Sequence, residues 1–559
     1  MLAKRGWLLL FLSIAAFYLW GLGSLPLVGP DEPRYAQVAR EMFARHDLIT
    51  PTLGGLPWFE KPPLLYWLMI AGYRVLGVSE YAARLGPAVC GLLTAVFVYW
   101  TGKTVEDAGA ISSSKTAEDE EQRRDGLGRF SALVWLSSLG VIVFSRGASF
   151  DIVVTMTITG ALACFFVWEV RYRTRSGSDG VGAGPNILLV GFYLFIGLSL
   201  LAKGLIGIVI PFGVISAYYL LKREWPNGKF VKSLSWGLPL AIAVAAVWFG
   251  PMLSRHGWKF VDQFIVQHHF ARFVTNKYHH PAPFYFYLEV LVALAAPWTV
   301  FLAAGFWSSQ RWHWRGRMPL DCFRVLAFCW VVVPVVFFSF SESKLTAYIL
   351  PALPAVGLLT GERVTCFLQA QRGDLVFRVT GVLLLALGVC GGWYLAHRSG
   401  LSFPCIVLGC SPLVVVGAAA LARPQLRKVL VILIPLALFV ASAIGLSCAA
   451  PVLARPESVR DLLAAGATRG DGATPVVQLH TVERTAEFYA AGRMTYGADG
   501  EPVKLEGVAQ VAEAARRNGG VVLCFVPKEY EAQLTTYPSI EAEVVGNNGR
   551  VSLLVVRVK

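Results

Sequence analysis

The chain has 559 residues, 55% of them hydrophobic, 13% aromatic and only 15% charged, and its mean hydropathy is +0.56. Soluble domains carry about a quarter charged residues, so a soluble globular protein is excluded and an integral membrane protein is implied. The net charge of +14 then reads as lysine and arginine gathered in cytoplasmic loops rather than as a nucleic-acid surface.

The start, MLAKRGWLLLFLSIAAFYLW, pairs basic residues with an apolar run and has no clean small-x-small cleavage site, so it reads as a signal-anchor span. Further apolar runs follow near 82–102, 128–145, 150–170, 186–202, 204–222, 234–253, 284–304, 323–340, 346–364, 377–396, 402–422 and 427–449. Counting the first, near 6–23, these predict about thirteen transmembrane helices. Short basic segments such as RYRTR (171–175), RWHWRGR (311–317) and RPQLRK (423–428) fall on one side, taken as cytoplasmic, together with Lys4 and Arg5. The outward side receives the long 24–81 loop, SRGASFD (145–151), Lys203-Gly204, the 254–283 loop and SESKLTAY (341–348). The polar 112–125 loop reads as mobile. From about Pro451 strands are expected at Val476–Leu479, Val521–Phe525, Glu541–Val545 and Val551–Val556, and helices at Thr485–Ala491 and Val508–Arg517. The expected fold is therefore an α-helical polytopic membrane protein with amphipathic juxtamembrane helices over 1–450. A small extracytoplasmic α/β domain follows over 451–559. That domain has neither GxGxxG after a strand nor GxxxxGK[ST], so an accessory or substrate-guiding role suits it better than catalysis. The ten cysteines, mostly inside apolar runs and without a CxxC pair, read as small hydrophobes rather than a disulfide framework or metal site.

The most polar outward stretch is GPDEPRYAQVAREMFARHDLITPTLGGLPWFEKPPLLYW (29–67). Tyr35, Val38, Ala39 and Met42 recur at helical spacing, so Glu32–Ala44 reads as an amphipathic helix on the membrane surface. Asp31, before Pro33, suits either a helix cap or a carboxylate that takes a proton from an acceptor hydroxyl or binds the acceptor. Asp151 either pairs with Arg146 or adds a second cavity carboxylate. Lys61, Lys203 and Lys344, each at an outward end, snorkel singly or, with Arg34, form a cluster for phosphate oxygens. Tyr348 is expected on one helical face with Lys344, as a further phosphate donor. His256, His268, His269, His279 and His280 crowd the 254–283 loop without a metal-ligand spacing and read as solvated, with Glu60 and His269 as the pair to examine.

These motifs carry a family resemblance. DEPRYAQVAREM, FEKPPLLYW, LAKGLIGIVIP, HHFARF with HHPAPFYFYL, APW and FFSFSESKLTAYILPALP lie in order over roughly the first 360 residues. Together they resemble the C-type polytopic glycosyltransferases that use polyprenyl-phosphate sugars. The chain is most similar to the 4-amino-4-deoxy-L-arabinose (lipid A) transferase and protein O-mannosyltransferase-like group. The resemblance implies Asp31 as catalytic or acceptor-binding acid with Glu32 beside it, and Asp151 near the acceptor. It implies Lys61 and Tyr348 around the donor phosphate, with Lys203 and Lys344 facing the same cavity. It also implies Glu60 and His269 where some relatives hold a divalent metal, although no cofactor is required. Gln267-His268 and Gly204-Leu205 depart from the family pattern. The implied partners are a polyprenyl-phosphate sugar, a lipid or protein acceptor and membrane lipids, with no nucleic acid.

The function expected is transfer of a sugar from polyprenyl (undecaprenyl) phosphate to an envelope acceptor such as lipid A. It would proceed with inversion on the outer face of the bacterial cytoplasmic membrane. Protein O-glycosylation is the alternative within the family. A flippase for lipid-linked sugars is the alternative outside it, and the gathering of charge at one membrane edge speaks against that class. A non-catalytic envelope assembly protein is the third reading, and the joint presence of Asp31, Lys61 and Lys344 argues against it.

Overall fold

Apolar runs punctuated by proline give helices of unequal length, and that inequality shapes the molecule. The structure, a computed structural model, describes residues 4–111, 126–175, 186–271, 282–497 and 500–559, without the side chains of 110, 111, 175 and 268–271. The 112–125 loop, His279, His280 and the side chains of His268 and His269 lie outside the described residues. Among those described, eight helices are long and apolar enough to cross a membrane. They include Glu80–Gly109, Phe150–Thr174, Asn186–Lys203, Pro319–Ser339, Asp374–Arg398 and Phe403–Ala422. Two bent pairs raise the number to ten. Leu127–Leu136 and Leu139–Ser145 meet at 61° where Ser137 and Ser138 bond back to the Leu133 and Val134 carbonyls. Phe286–Leu294 and Thr299–Arg311 meet at 117° around Pro297. The other runs give shorter helices, Lys4–Leu19, Ile206–Lys222 and Leu353–Gln369. Length and composition thus support eight to ten spans, fewer than the thirteen expected.

Small residues bring helices close. A Cβ on Gly381 would sit 2.6 Å from the Gly417 carbonyl, so Asp374–Arg398 and Phe403–Ala422 pack backbone to backbone. Cys405 and Cys448 then meet as a disulfide with Cα atoms 6.1 Å apart. This corrects the expectation that every cysteine is a small hydrophobe. The two lie 43 residues apart, and only the antiparallel return of the last span brings them together.

The last helical run continues to Glu457, and a five-stranded sheet follows. Its strands are β3 (Val476–Leu479), β4 (Lys504–Leu505), β5 (Val521–Pro527), β6 (Ile540–Asn547) and β7 (Val551–Val558). A two-stranded hairpin in the first loop, β1 (Thr52–Leu53) and β2 (Leu56–Pro57), precedes them in the chain. The sheet order is β4-β3-β5-β7-β6, with β3 parallel to both β4 and β5 and the β5-β7-β6 edge antiparallel. Apolar side chains line both faces: Leu523, Phe525, Leu553 and Val555 on one, Val522, Cys524, Leu554 and Val556 on the other. The first of these faces packs on Arg460–Gly466 and the second on Val508–Arg517.

Candidate active site

The first loop is built around a helix that starts at Asp31 and ends at Ala44. Gly29 supplies φ +70° just before it, and Pro33 sits in the first turn, where a missing N–H costs nothing. Tyr35, Val38, Ala39 and Met42 are buried as their spacing requires. Asp31 makes no cap hydrogen bond, since Pro30 holds the cap position, and its side chain is exposed.

Glu32 has a different fate. Its carboxylate accepts from Arg84 Nε at 2.6 Å and Nη2 at 2.7 Å. It also takes the backbone N–H groups of Val28 at 3.0 Å and Ala148 at 2.8 Å. Arg84, 5% exposed, donates its remaining hydrogens to the carbonyls of Leu22, Leu25 and Pro26. Glu32 and Arg84 thereby tie the helix start to the bundle, and Asp31 is left presented beside them. Sequence reading missed Arg84, although an arginine at the end of a span expected to face outward runs against positive-inside usage and is a usable signal.

Glu41 sets the next part of the loop. It accepts from Thr52 Oγ1 at 2.7 Å and from the N–H groups of Gly54 at 2.7 Å and Gly55 at 3.1 Å. It thus closes the β1–β2 hairpin that leads to Glu60 and Lys61. Upstream, Asp47 receives Arg255 at 2.9 Å, Thr50 shares a 2.9 Å hydrogen bond with His256 Nε2, and Trp248 donates to the Ile49 carbonyl at 2.7 Å. His256 is therefore not a solvated loop residue. The helix from Gly228 runs to Val261 and a π-helical stretch continues to Ala271, so much of the expected 254–283 loop is helical.

Asp151 pairs with Lys203, not with Arg146, which instead holds the Phe17 and Trp20 carbonyls at 2.5 and 2.7 Å. The Lys203 ammonium lies 4.7 Å from the centre of the Tyr348 ring. Lys344 donates to the Ser341 carbonyl at 2.6 Å. It precedes a 3-10 turn, Thr346–Ala352, rather than sharing an α-helical face with Tyr348. Pro351 in that turn lacks the donor an α-helix needs.

Tyr35 joins these pieces. Its ring meets Phe150 at 4.9 Å and Tyr66 at 6.5 Å. Burial pushes its hydroxyl pKa well up, and the carboxylates of Asp31, Glu60 and Asp151 push it further. Arg34 stands at the rim, its guanidinium 5.1 Å from the Trp58 ring and its Nε 3.5 Å from Glu487 of the sheet region. Burial alone would lower the Arg34 pKa; Glu487, Glu60, Glu501 and Asp31 outweigh it and secure the charge. Among the described residues no group of three or more His, Cys, Asp or Glu could hold a metal; the side chain of His269, which the resemblance pairs with Glu60, lies outside them.

The family model for dolichyl-phosphate-mannose-protein mannosyltransferase matches residues 6–111. An undecaprenyl phosphate-alpha-4-amino-4-deoxy-L-arabinose arabinosyl transferase of Serratia proteamaculans is 30% identical over 423 residues, which is 73% of this chain and 69% of that protein. The chain belongs to this arabinosyl transferase family. Within the family, the protein of Edwardsiella ictaluri is 28% identical over 69% of this chain and 64% of its own length. The Yersinia enterocolitica protein is 30% identical over 65% and 60%. The chain therefore spans a little under two thirds of the length of these two relatives. The fold extends further than the sequence match. The crystal structure of ArnT from Cupriavidus metallidurans bound to undecaprenyl phosphate superposes with a TM-score of 0.77 at 22% identity, over 99% of this chain and 98% of that one. The archaeal oligosaccharyltransferase AglB from Archaeoglobus fulgidus, in complex with an inhibitory peptide and a dolichol-phosphate, gives 0.52 at 14% identity, over 98% and 74%.

Proposed function

We propose that the chain is a glycosyltransferase that moves 4-amino-4-deoxy-L-arabinose, or a closely related sugar, from undecaprenyl phosphate to a lipid A-type acceptor. One observation carries the reading. Asp151 with its neighbour Phe150, Lys203, Tyr348 and the helix of Asp31 come from four separate parts of the chain and gather at one end of the bundle: Asp151 pairs with Lys203, Lys203 lies 4.7 Å from the Tyr348 ring, and Phe150 lies 4.9 Å from the Tyr35 ring of the Asp31 helix. Family membership supplies the substrate class.

In the reaction the bond between the sugar's anomeric carbon and the donor phosphate oxygen breaks, and a bond from that carbon to an acceptor oxygen forms on the opposite face, with inversion. Asp31 orients the acceptor and takes its proton where the acceptor is a hydroxyl. Charge develops on the departing phosphate, and Lys61, Lys203, Lys344 and Tyr348 are the groups that stabilise it. Lys203 has two further ammonium hydrogens beside the one given to Asp151, so it can hold both. Asp151 fixes Lys203, Glu32 fixes Asp31's helix, and Arg34 adds a rim cation.

We further assign thirteen spans and place this cavity and the sheet region on the extracytoplasmic side of the bacterial inner membrane. Two observations support that sidedness. The basic segments meet at the other end, where Arg173 and Arg317 share Glu224. The Cys405–Cys448 disulfide closes the end from which the sheet region departs, as an oxidising compartment allows.

The test is transfer from radiolabelled undecaprenyl-phosphate sugars in membranes, with lipid and protein fractions counted separately. Label in lipid with wild type and not with Asp31→Asn is the expected result. Label in protein would select O-glycosylation, and no transfer from any donor by folded protein would select the flippase.

A further inference from the structure

The segment that begins the docking of the sheet region is short. Ala486–Tyr489 is a single helical turn, yet it touches the first loop at several points. Arg40 donates to the Phe488 carbonyl at 2.7 Å and lies 4.7 Å from the Phe488 ring centre. The Tyr489 hydroxyl accepts from the Leu27 N–H at 2.7 Å and donates to Glu80 at 3.0 Å. Tyr496 lies over Gly54, where a Cβ would come within 2.2 Å of its ring. Glu487 is the charged member of the set. Its side chain is completely buried, and it takes Arg34 Nε at 3.5 Å on one oxygen and Arg484 Nη1 at 3.1 Å on the other.

A fully buried carboxylate is costly, and Arg40, Tyr489 and Tyr496 also join the turn and its neighbours to the first loop. The effect of Glu487 falls on Arg34. Trp58 covers one face of that guanidinium and Glu487 holds its Nε edge. Among the described residues, its two Nη groups have no hydrogen-bond partner. Released from Glu487, Arg34 would have three competing acids within its field: Glu60, Glu501, and Asp31 one turn before it on the same helix. A guanidinium that swings onto one of these acids is lost to the donor.

We propose that Glu487 is a positioning residue for donor binding, reaching from the C-terminal domain to hold Arg34 with its Nη groups toward the donor's phosphate and away from Asp31. This rests on the lipid-phosphate reading of the cavity. It gives the C-terminal domain a part in the reaction without any contact to substrate.

The experiment uses the full chain in proteoliposomes with undecaprenyl phosphate-alpha-4-amino-4-deoxy-L-arabinose and lipid A. Glu487→Gln raises the donor KM about tenfold while kcat falls less than about threefold. Glu487→Asp recovers much of the loss. Combined with Arg34→Ala, Glu487→Gln adds nothing to the single Arg34→Ala defect. Glu543→Gln, which breaks the Arg469 pair at 3.1 Å on the far side of the domain, keeps wild-type kinetics. A second arm needs no turnover: protection against thermal unfolding by undecaprenyl phosphate alone shifts to about tenfold higher lipid in Glu487→Gln. Multiplying defects in the double variant, or unchanged lipid protection in Glu487→Gln, overturns the proposal while leaving the transferase reading intact. Absence of transfer by wild type with the lipid shift preserved overturns the transferase reading and leaves this one standing.

Discussion

At the end of the bundle away from Asp31, Arg173 donates to Glu169 at 2.7 Å and to Glu224 at 2.6 Å, and Arg324 and Arg363 both reach Glu362 at 2.6 and 2.9 Å. Lys222, its side chain fully buried, donates to the Gly316 carbonyl. At the first-loop end, among the described residues, Asp31 is exposed without a cap bond, the Arg34 Nη groups have no hydrogen-bond partner, and Lys344 donates to one carbonyl. Both ends pair charges, as Glu32 with Arg84 and Asp151 with Lys203 do at the first-loop end, but that end also presents an exposed acid, Asp31, to a ligand. A closed buried pair mainly holds helices in register, since removing one partner leaves an uncompensated ion. An open one is expensive to keep and is retained where a substrate completes it.

The largest effect should separate the two neighbours at the helix start. Asp31→Asn is expected to lower kcat by roughly 10²–10⁴-fold with folding intact, read as label transfer by protein that still elutes as one species. Transfer by Asp31→Asn at the wild-type rate would break the contrast. Arg84→Ala should instead cost about 3–5 kcal/mol of stability, because Glu32 is left buried and unpaired, and thermal unfolding in detergent reports it. At the far end, Glu362→Gln should reduce the yield of folded protein and leave the specific activity of what folds unchanged. Lys344→Ala should raise the donor KM about tenfold by removing a charge-assisted contact to the phosphate, with thermal stability near wild type.

A smaller effect is expected at the loop anchor. Partial burial would raise the Asp47 carboxyl, but the Ile49 N–H and the Arg255 guanidinium outweigh it and hold it below the usual carboxylate range. A depressed acid stabilises above its ordinary pKa, and that stability is lost as pH falls through the lowered value. The 45–60 segment should therefore become protease-sensitive only below about pH 4, and Asp47→Asn should remove the pH dependence. The smallest effect is expected from chelation: membranes washed with EDTA should keep most of their transfer activity.

Much of this was legible before any coordinates. Val476–Leu479 and Val508–Arg517 occur as strand and helix over the expected residues, because alternation and 3.6-residue spacing are local properties. The helix carrying Asp31 was legible for the same reason. Arg84 with Glu32, Asp151 with Lys203, and Cys405 with Cys448 were not. Each joins residues 43 to 52 positions apart, and nothing local distinguishes the true partner from a nearer one such as Arg146. Tyr348 and Lys344 were placed on one face because four-residue spacing implies a helix, and Pro351 overrode it.

The sequence by itself determined that this is a membrane protein, where its polar loop lies, and which acids and lysines that loop and the span ends carry, since hydropathy and charge are additive along the chain. Only the tertiary structure decided which of those charges are spent on one another. That choice depends on which span ends meet, and close packing of helices far apart in sequence sets it.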